Sequence, residues 1–452
     1  MGEIIARAGD PLTLDELTRN FADLFPDGRP TRLKSGGEVR DNWEPGVEIT
    51  RNRSVSWSES RRSLTIASVD PHSEAPVGGL LIQFGRQLDG RDLGIAGWMA
   101  RVFNYDVAVA PGLLRDKELW LNLQQTRFSR VIARAASFHT DILFRWLRNY
   151  ENAGSLRYEG SPFSAAMIIV KQRTNLQGKA SLDFLKFSEP LALTRALFEE
   201  KWVRALASGG HVYLVGLGHD NGVIGVAVTR ETDVSEGQLF PPHRNLSGLT
   251  SSLGPGMMAL TMSESGDLYV LLPNGVTFVK SQGRWRYLNF NLLNVALSGC
   301  VQSSALPGLV RVIADMSYDR RGALFVVCDD RSAIKRVVPD HASSDRINKP
   351  VRTFARCLKV SDASHRLVLG NVAAIDGAVI LSGSGEVLDA ACMIATPSET
   401  DLASAGLARL SSHAGARTTA AWNASVLGTA VKVSEDGPIS VFEKGCRVLQ
   451  IG

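Results

Sequence analysis

Two short stretches near the C-terminal end hold residue types that could handle a phosphorylated ligand. The first is Asp376-Gly377-Ala378, where a carboxylate stands at the mouth of the apolar run Val379-Ile380-Leu381. A carboxylate there can orient a hydroxyl or share a divalent cation, and a glycine beside it lets the backbone approach a ligand closely. The second is Gly415-Ala416-Arg417-Thr418-Thr419, where a glycine-led turn offers backbone amides, one guanidinium and two hydroxyls to phosphate oxygens. A third, Glu435-Asp436-Gly437, is an acidic turn between apolar runs, and its two carboxylates are candidate metal ligands. We read these as two halves of one nucleotide pocket, a carboxylate half around Asp376 and a phosphate half around Arg417.

In content and order the three stretches resemble the catalytic core of the diadenylate cyclase superfamily, the DisA-N-like domains that make or bind cyclic di-AMP. The matching residues are Asp376-Gly377-Ala378, then Gly415-Ala416-Arg417-Thr418-Thr419-Ala420-Ala421 where the family has Gly-Thr-Arg-His-Arg-Ala-Ala, then Val433 to Val441 around the acidic turn. The resemblance spans about residues 306–446. It implies that Asp376 lies by a 3'-hydroxyl and a metal, Mg or Mn, and that Gly415 to Thr419 hold phosphates. It also implies that two cores can assemble face to face as a homodimer. The phosphate half departs from the family: Thr418 and Thr419 carry no charge, and Ile375 stands where family enzymes often carry a histidine. His413, four residues before Arg417, is a candidate to supply that imidazole in space. A neutral hydroxyl holds phosphate less strongly than a guanidinium, by roughly a factor of two. The loss weakens a triphosphate more than two phosphodiesters, which places a sensor of a cyclic di- or oligonucleotide, signalling to a separate effector protein, ahead of an active cyclase using ATP and Mg or Mn. A structural module with a vestigial pocket is the third reading.

These stretches need a scaffold, and the surrounding residues supply a mixed one. Val310 to Tyr318 is helix-like, Arg320-Arg321-Gly322 turns, and Ala323 to Cys328 is an apolar strand. Pro339 to Lys349 has the composition of an exposed insertion, and Leu367 to Ala374 reads as the end of a helix before Asp376. The expectation is a mixed α/β (α+β) domain over 301–452, its central sheet flanked by helices.

Upstream we expect an N-terminal α+β region over 1–112 and a helix-led α+β region over 113–300. Leu14, Leu17, Phe21 and Leu24 keep a helical period, with Thr13 as N-cap and Glu16 closing a capping box. Strands are expected at Leu64 to Val69 and Gly79 to Phe84. Arg51, Arg53, Arg61 and Arg62 form a solvated charged face rather than a phosphate patch. A wide apolar stripe from Leu119 to Leu147 predicts one long helix or two, with Trp120 and Trp146 as core or interface anchors. Strands follow at Ala165 to Val170 and at Ser181 to Phe187, the latter closed by Pro190, and a helix at Thr194 to Ala207. Gly216-Leu217-Gly218 is a hairpin signal, since a β-branched strand and not a helix follows it, and Asn274-Gly275 is another.

Composition narrows the classes. A chain of 452 residues suggests two or three domains. A net charge of +4 is too small to mark a nucleic-acid binder. No apolar run approaches the roughly 18 residues that span a bilayer, and no leader-like N-terminus is visible, so a cytoplasmic protein is expected. The 5 cysteines are far apart, which favours buried reduced thiols over a zinc site. Phosphate-loop, HExxH and GxSxG motifs are absent.

Overall fold

The structure is a computed structural model that describes residues 11–113, 117–154, 157–158, 161–162, 166–176, 181–207, 211–219, 222–229, 241–338, 349–411 and 413–452. It is a mixed α/β chain whose described residues form sheets of four, eight, six and two strands. Contacts gather it into two compact units, one of Met1–Glu231 with Ser252–Leu288, the other of Thr232–Ser251 with Asn289–Gly452. Residues 112 and 113 are the last of the helix Gly90–Leu113, inside the first unit.

The first unit carries an antiparallel four-stranded sheet and an eight-stranded sheet in which only Ala166–Val170 and Val212–Leu217 run parallel. The strands expected at Leu64 to Val69 and Gly79 to Phe84 are present as Ser63–Val69 and Pro76–Gln83, the second beginning three residues earlier. The stripe from Leu119 resolves into two helices, Lys117–Ala136 and Thr140–Gly154, broken at Ser137 with φ 59°. Trp146 is fully buried in the core, and Gly216 exists for it: a Cβ there would lie 2.2 Å from the indole. The side chain of Trp120 lies outside the described residues. Both hairpins form, with Asn274 and Gly275 at positive φ.

Several local expectations are corrected. Thr13 is inside the helix Pro11–Leu24, and Glu16 turns inward to the buried Arg127 instead of closing a cap. The strand beginning at Leu182 runs on through Pro190 to Ala192. It is the last strand of its sheet, where a missing N–H costs no ladder bond. The helix after Thr194 is two short pieces, Arg195–Glu199 and Lys201–Ala207, split at Glu200. The helix Gly90–Leu113 has no counterpart in the sequence reading, and its strongest polar anchor is buried: Arg127 donates to Asp106 at 2.8 Å, and both side chains are wholly enclosed.

The second unit is built around a mixed sheet. From Asn291 onward its described helices are α1 (Asn291–Leu297), α2 (Leu306–Tyr318), α3 (Arg331–Val337), α4 (Lys349–Ala355), α5 (Ala363–Ala373), α6 (Glu399–Ser404) and α7 (Ala416–Ser425). Its strands are β1 (Ala323–Val327), β2 (Ala378–Leu381), β3 (Val387–Cys392), β4 (Thr429–Val433), β5 (Ile439–Glu443) and β6 (Cys446–Ile451), in the spatial order β3-β2-β1-β4-β5-β6. Only β1 and β2 are parallel, joined by the crossover that contains α5. All of β1 is buried, as befits a central strand covered on both faces. Leu324 and Val326 join Ala421, Trp422 and Ala424 of α7 in one core, and Phe325 and Val327 point the other way.

Helix α2 begins at Leu306, four residues before the predicted start, because Pro307 suits a first turn. Residues 339–348 of the expected insertion lie outside the described residues. Cys328 and Cys392 are buried as small core groups, whereas Cys357 and Cys446 are exposed, so burial accounts for only part of the cysteine set. Arg244 bonds Asp315 of α2 through its amide at 2.7 Å and its guanidinium at 3.0 Å, and so pins the segment 241–251 to this unit.

Candidate functional site

A cleft of about 980 Å³ opens in the second unit where the C-terminal end of β4, the start of β2 and the start of α7 converge. Asp376, Gly377, Gly415, Ala416, Arg417, Thr418, Thr419 and Glu435, all singled out by sequence, line it together. The sheet explains why. β1 places β2 on one side and β4 on the other, and α7 leads back into β4, so stretches forty residues apart meet at one end of one sheet.

On the carboxylate side, Asp376 ends the loop after α5 and is exposed, with no side-chain hydrogen bond among the described residues. Gly377 has φ +112°, and a Cβ there would meet the Ala391 carbonyl carbon at 2.6 Å and the Cys392 nitrogen at 2.7 Å. Glycine is therefore required by the neighbouring strand, whose bulge puts Ala391 at φ 51°. The strand thus gives a second reason for glycine at a position that also lines the cleft. Ala378 is in the core and does not line the cleft.

On the phosphate side, Gly415 adopts φ 96° and opens α7 without a side-chain cap. The first-turn amides of α7 thus have no acceptor within the helix, and they carry the positive end of its dipole. Arg417 reaches Glu435 at 3.1 Å, an exposed pair of small energetic value. Gly322 makes room for it, since a Cβ at 322 would lie 2.2 Å from the Arg417 guanidinium and 2.9 Å from Glu435 Cγ. Thr419 turns its hydroxyl back to the carbonyls of Gly415 at 3.3 Å and His413 at 3.4 Å. Thr418 instead accepts from Lys432 Nζ at 2.8 Å, which leaves its own proton free to donate.

Lys432 is the functional residue that sequence reasoning missed. It lies opposite Leu324 on the core-facing side of β4, two residues from the buried Ala430. Burial, foremost, pulls its ammonium below the ordinary lysine range, with Arg417 and Arg447 acting in the same sense and Asp436 against it. The signal was present in Thr429-Ala430-Val431-Lys432-Val433: a charge on the inward face of an apolar strand needs a reason.

His413 does not replace the absent imidazole. It packs against Trp422, ring centroids 6.0 Å apart, and near Phe442 at 6.5 Å, away from the cleft lining. Asp436 is exposed and does not line the cleft either. Of the two acidic-turn carboxylates Glu435 does line it, and it is engaged by Arg417. Among the described residues no three His, Cys, Asp or Glu side chains gather into a metal-holding group. Asp376 and Glu435 remain two carboxylates on one cleft, which suits a cation that completes its shell with water and phosphate oxygens, as Mg does. Leu324, Cys392, Ile394 and Met393, the last 62% exposed, form an apolar part of the wall, with Asn423 and Ser434 as further polar lining.

No family model matches the chain, and no curated protein does. Among solved structures, one described as a hypothetical membrane spanning protein from Bacillus cereus is similar at 18% identity, covering 36% of this chain and 69% of that one, with a TM-score of 0.25. So slight a similarity carries no argument about this chain. Among the described residues no helix is long and apolar enough to cross a membrane.

Proposed function

We propose that the second unit is a nucleotide sensor domain whose cleft binds a cyclic di- or oligonucleotide. The observation that carries this reading is the meeting of Arg417, Lys432, Thr418 and the uncapped start of α7 on one wall. Two cations and a set of free donors fit phosphodiester oxygens. The apolar wall with Met393 fits the face of a base, and a cleft near the upper end of the roughly 300–1,000 Å³ usual for small ligands has room for more than one nucleotide. Signalling then passes to a separate effector. Thermal denaturation of the whole chain with cyclic di-AMP, cyclic di-GMP and cyclic tri-AMP tests the reading, because a ligand that binds only the folded state raises the midpoint. No shift with any of them would remove its basis.

A second reading, synthesis of cyclic di-AMP from two ATP, draws on Asp376 and Glu435 lining the same cleft. In that reaction each 3'-hydroxyl oxygen bonds to the other molecule's α-phosphorus, pyrophosphate leaves and the hydroxyl proton passes to a base or to water. A bound Mg or Mn, held by those carboxylates, would neutralise phosphate charge. Arg417 and Lys432 would orient the phosphates. Incubation with ATP and Mg or Mn followed by mass spectrometry separates the two: a product lost in Asp376→Ala establishes synthesis, and a clean negative leaves binding alone.

A further inference from the structure

The first unit has a pocket of its own, about 710 Å³, to which the arginine cluster read from sequence as a solvated face contributes Arg51. Trp98, Arg101, Val102 and Tyr105 line it from the helix Gly90–Leu113, at the i, i+3, i+4, i+7 spacing that shares one helix face. Arg130 and Arg134 enter from Lys117–Ala136, again four apart, and Arg51 and Asn52 come from the loop before the strand Val55–Ser58. Four guanidiniums therefore meet two carboxylates, Glu74 and Asp141.

The guanidiniums differ in how they are held. Arg51 is paired with Glu74 at 2.9 Å. Arg130 is fixed by the buried Asp106, at 2.8 Å from its Nη2, and by the Leu123 carbonyl at 2.7 Å. Arg101 has no carboxylate partner among the described residues: its Nε donates to the Asn52 carbonyl at 2.8 Å, and its guanidinium lies over the Trp98 ring at 4.9 Å. Arg134 makes no ion pair or side-chain hydrogen bond among the described residues and is exposed. Arg101, held in place, and Arg134, free of any such hold, thus have no carboxylate partner among the described residues, and beside them Tyr105 leaves 61% of its surface uncovered. The Tyr105 ring shares one helix face with Trp98 and Arg101, so an open aromatic face stands beside the guanidiniums, where a planar anionic molecule can cover it.

We infer that this pocket binds a small phosphorylated molecule that carries a planar ring, of the nucleoside phosphate class. Arg101 and Arg134 receive the phosphate, and Tyr105 stacks on the ring. A guanidinium matches a phosphate with two parallel donors, and a ring on tyrosine adds affinity that inorganic phosphate cannot recover. The site is independent of the second unit's cleft and of the function proposed for it.

The test is calorimetric titration of the whole chain bearing Arg417→Ala and Lys432→Met, which silences the other cleft, with AMP, adenosine and inorganic phosphate as probes. AMP is expected to bind one per chain, with adenosine and phosphate each at least about tenfold weaker, the scale of one charged hydrogen bond. Arg134→Gln and Arg101→Gln should each weaken AMP by about tenfold or more on the same scale, while Arg134→Lys retains a larger part of the affinity. Tyr105→Ala should weaken AMP and leave phosphate unchanged. Unligated melting temperatures close to that of the parent confirm that the variants fold. Absence of AMP binding up to millimolar concentrations, or binding indifferent to both arginine changes, overturns the inference.

Discussion

Lys432→Met removes one ammonium from the cleft while keeping an unbranched stem of similar length. The amine now bonds the Thr418 hydroxyl at 2.8 Å and lies beside Arg417, so a bound phosphate would receive it directly. A charged hydrogen bond contributes about 1.5–3 kcal/mol, so the affinity for a cyclic dinucleotide should fall about 10- to 150-fold. Stability should move by no more than about 1 kcal/mol, because the lost bond to a neutral hydroxyl is offset by relief of a desolvated charge. The pH dependence provides an independent check. Since burial depresses the folded-state ammonium below the ordinary lysine value of 10.5, a proton is lost from the folded protein before the unfolded one as pH rises. Unliganded stability from this group therefore increases with pH between the depressed value and 10.5, while phosphate affinity declines over the same window. Lys432→Arg keeps its charge there and should bind with a flat profile. Calorimetric titration from pH 7 to 10 reads all three proteins. Unchanged affinity in Lys432→Met, or a decline of equal size in Lys432→Arg, refutes the assignment of Lys432 to the phosphate wall.

Gly322→Ala should displace the Arg417 guanidinium, weakening ligand binding several-fold with little change in melting temperature, since the group it meets is the free end of a side chain. Asp106→Ala takes one carboxylate from the buried Arg127, which keeps Glu16, and loosens Arg130; a loss of about 3–5 kcal/mol in urea denaturation is expected. In the same assay Gly216→Ala should cost about 1–3 kcal/mol or more, as its methyl meets the Trp146 indole in a packed core, and Gly218→Ala should behave similarly against Phe138.

Much of the candidate site was legible because its residues are local: Asp376, Gly415 and Arg417 each belong to a short run bounded by an apolar strand or a helix start, and chain order set by the sheet brings those runs together. Lys432 escaped because its strand reads as apolar and its meaning depends on β1 lying opposite, a non-local fact. His413 misled for the converse reason: its place in sequence suggested the cleft, but the ring finds Trp422 and Phe442. In the first unit the helix Gly90–Leu113 was hidden by Gly90, Gly94 and Gly97, which lower intrinsic helix preference, and by Pro111. Burial of Ile95, Met99 and Phe103 overrides that preference. Thr13 and Glu16 fit a capping pattern until Arg127, over a hundred residues away, claims the glutamate.

The claim that the cleft is a receptor for a cyclic nucleotide is tested most directly by calorimetric titration of the whole chain with cyclic di-AMP, cyclic di-GMP and cyclic tri-AMP. We expect at least one to bind with one ligand site per chain, and the same titration of the Arg417→Ala, Lys432→Met double variant to lose at least about 100-fold, the product of two charged phosphate contacts. Binding that persists undiminished in the double variant, or no binding by any of the three to the unaltered chain, would contradict the account.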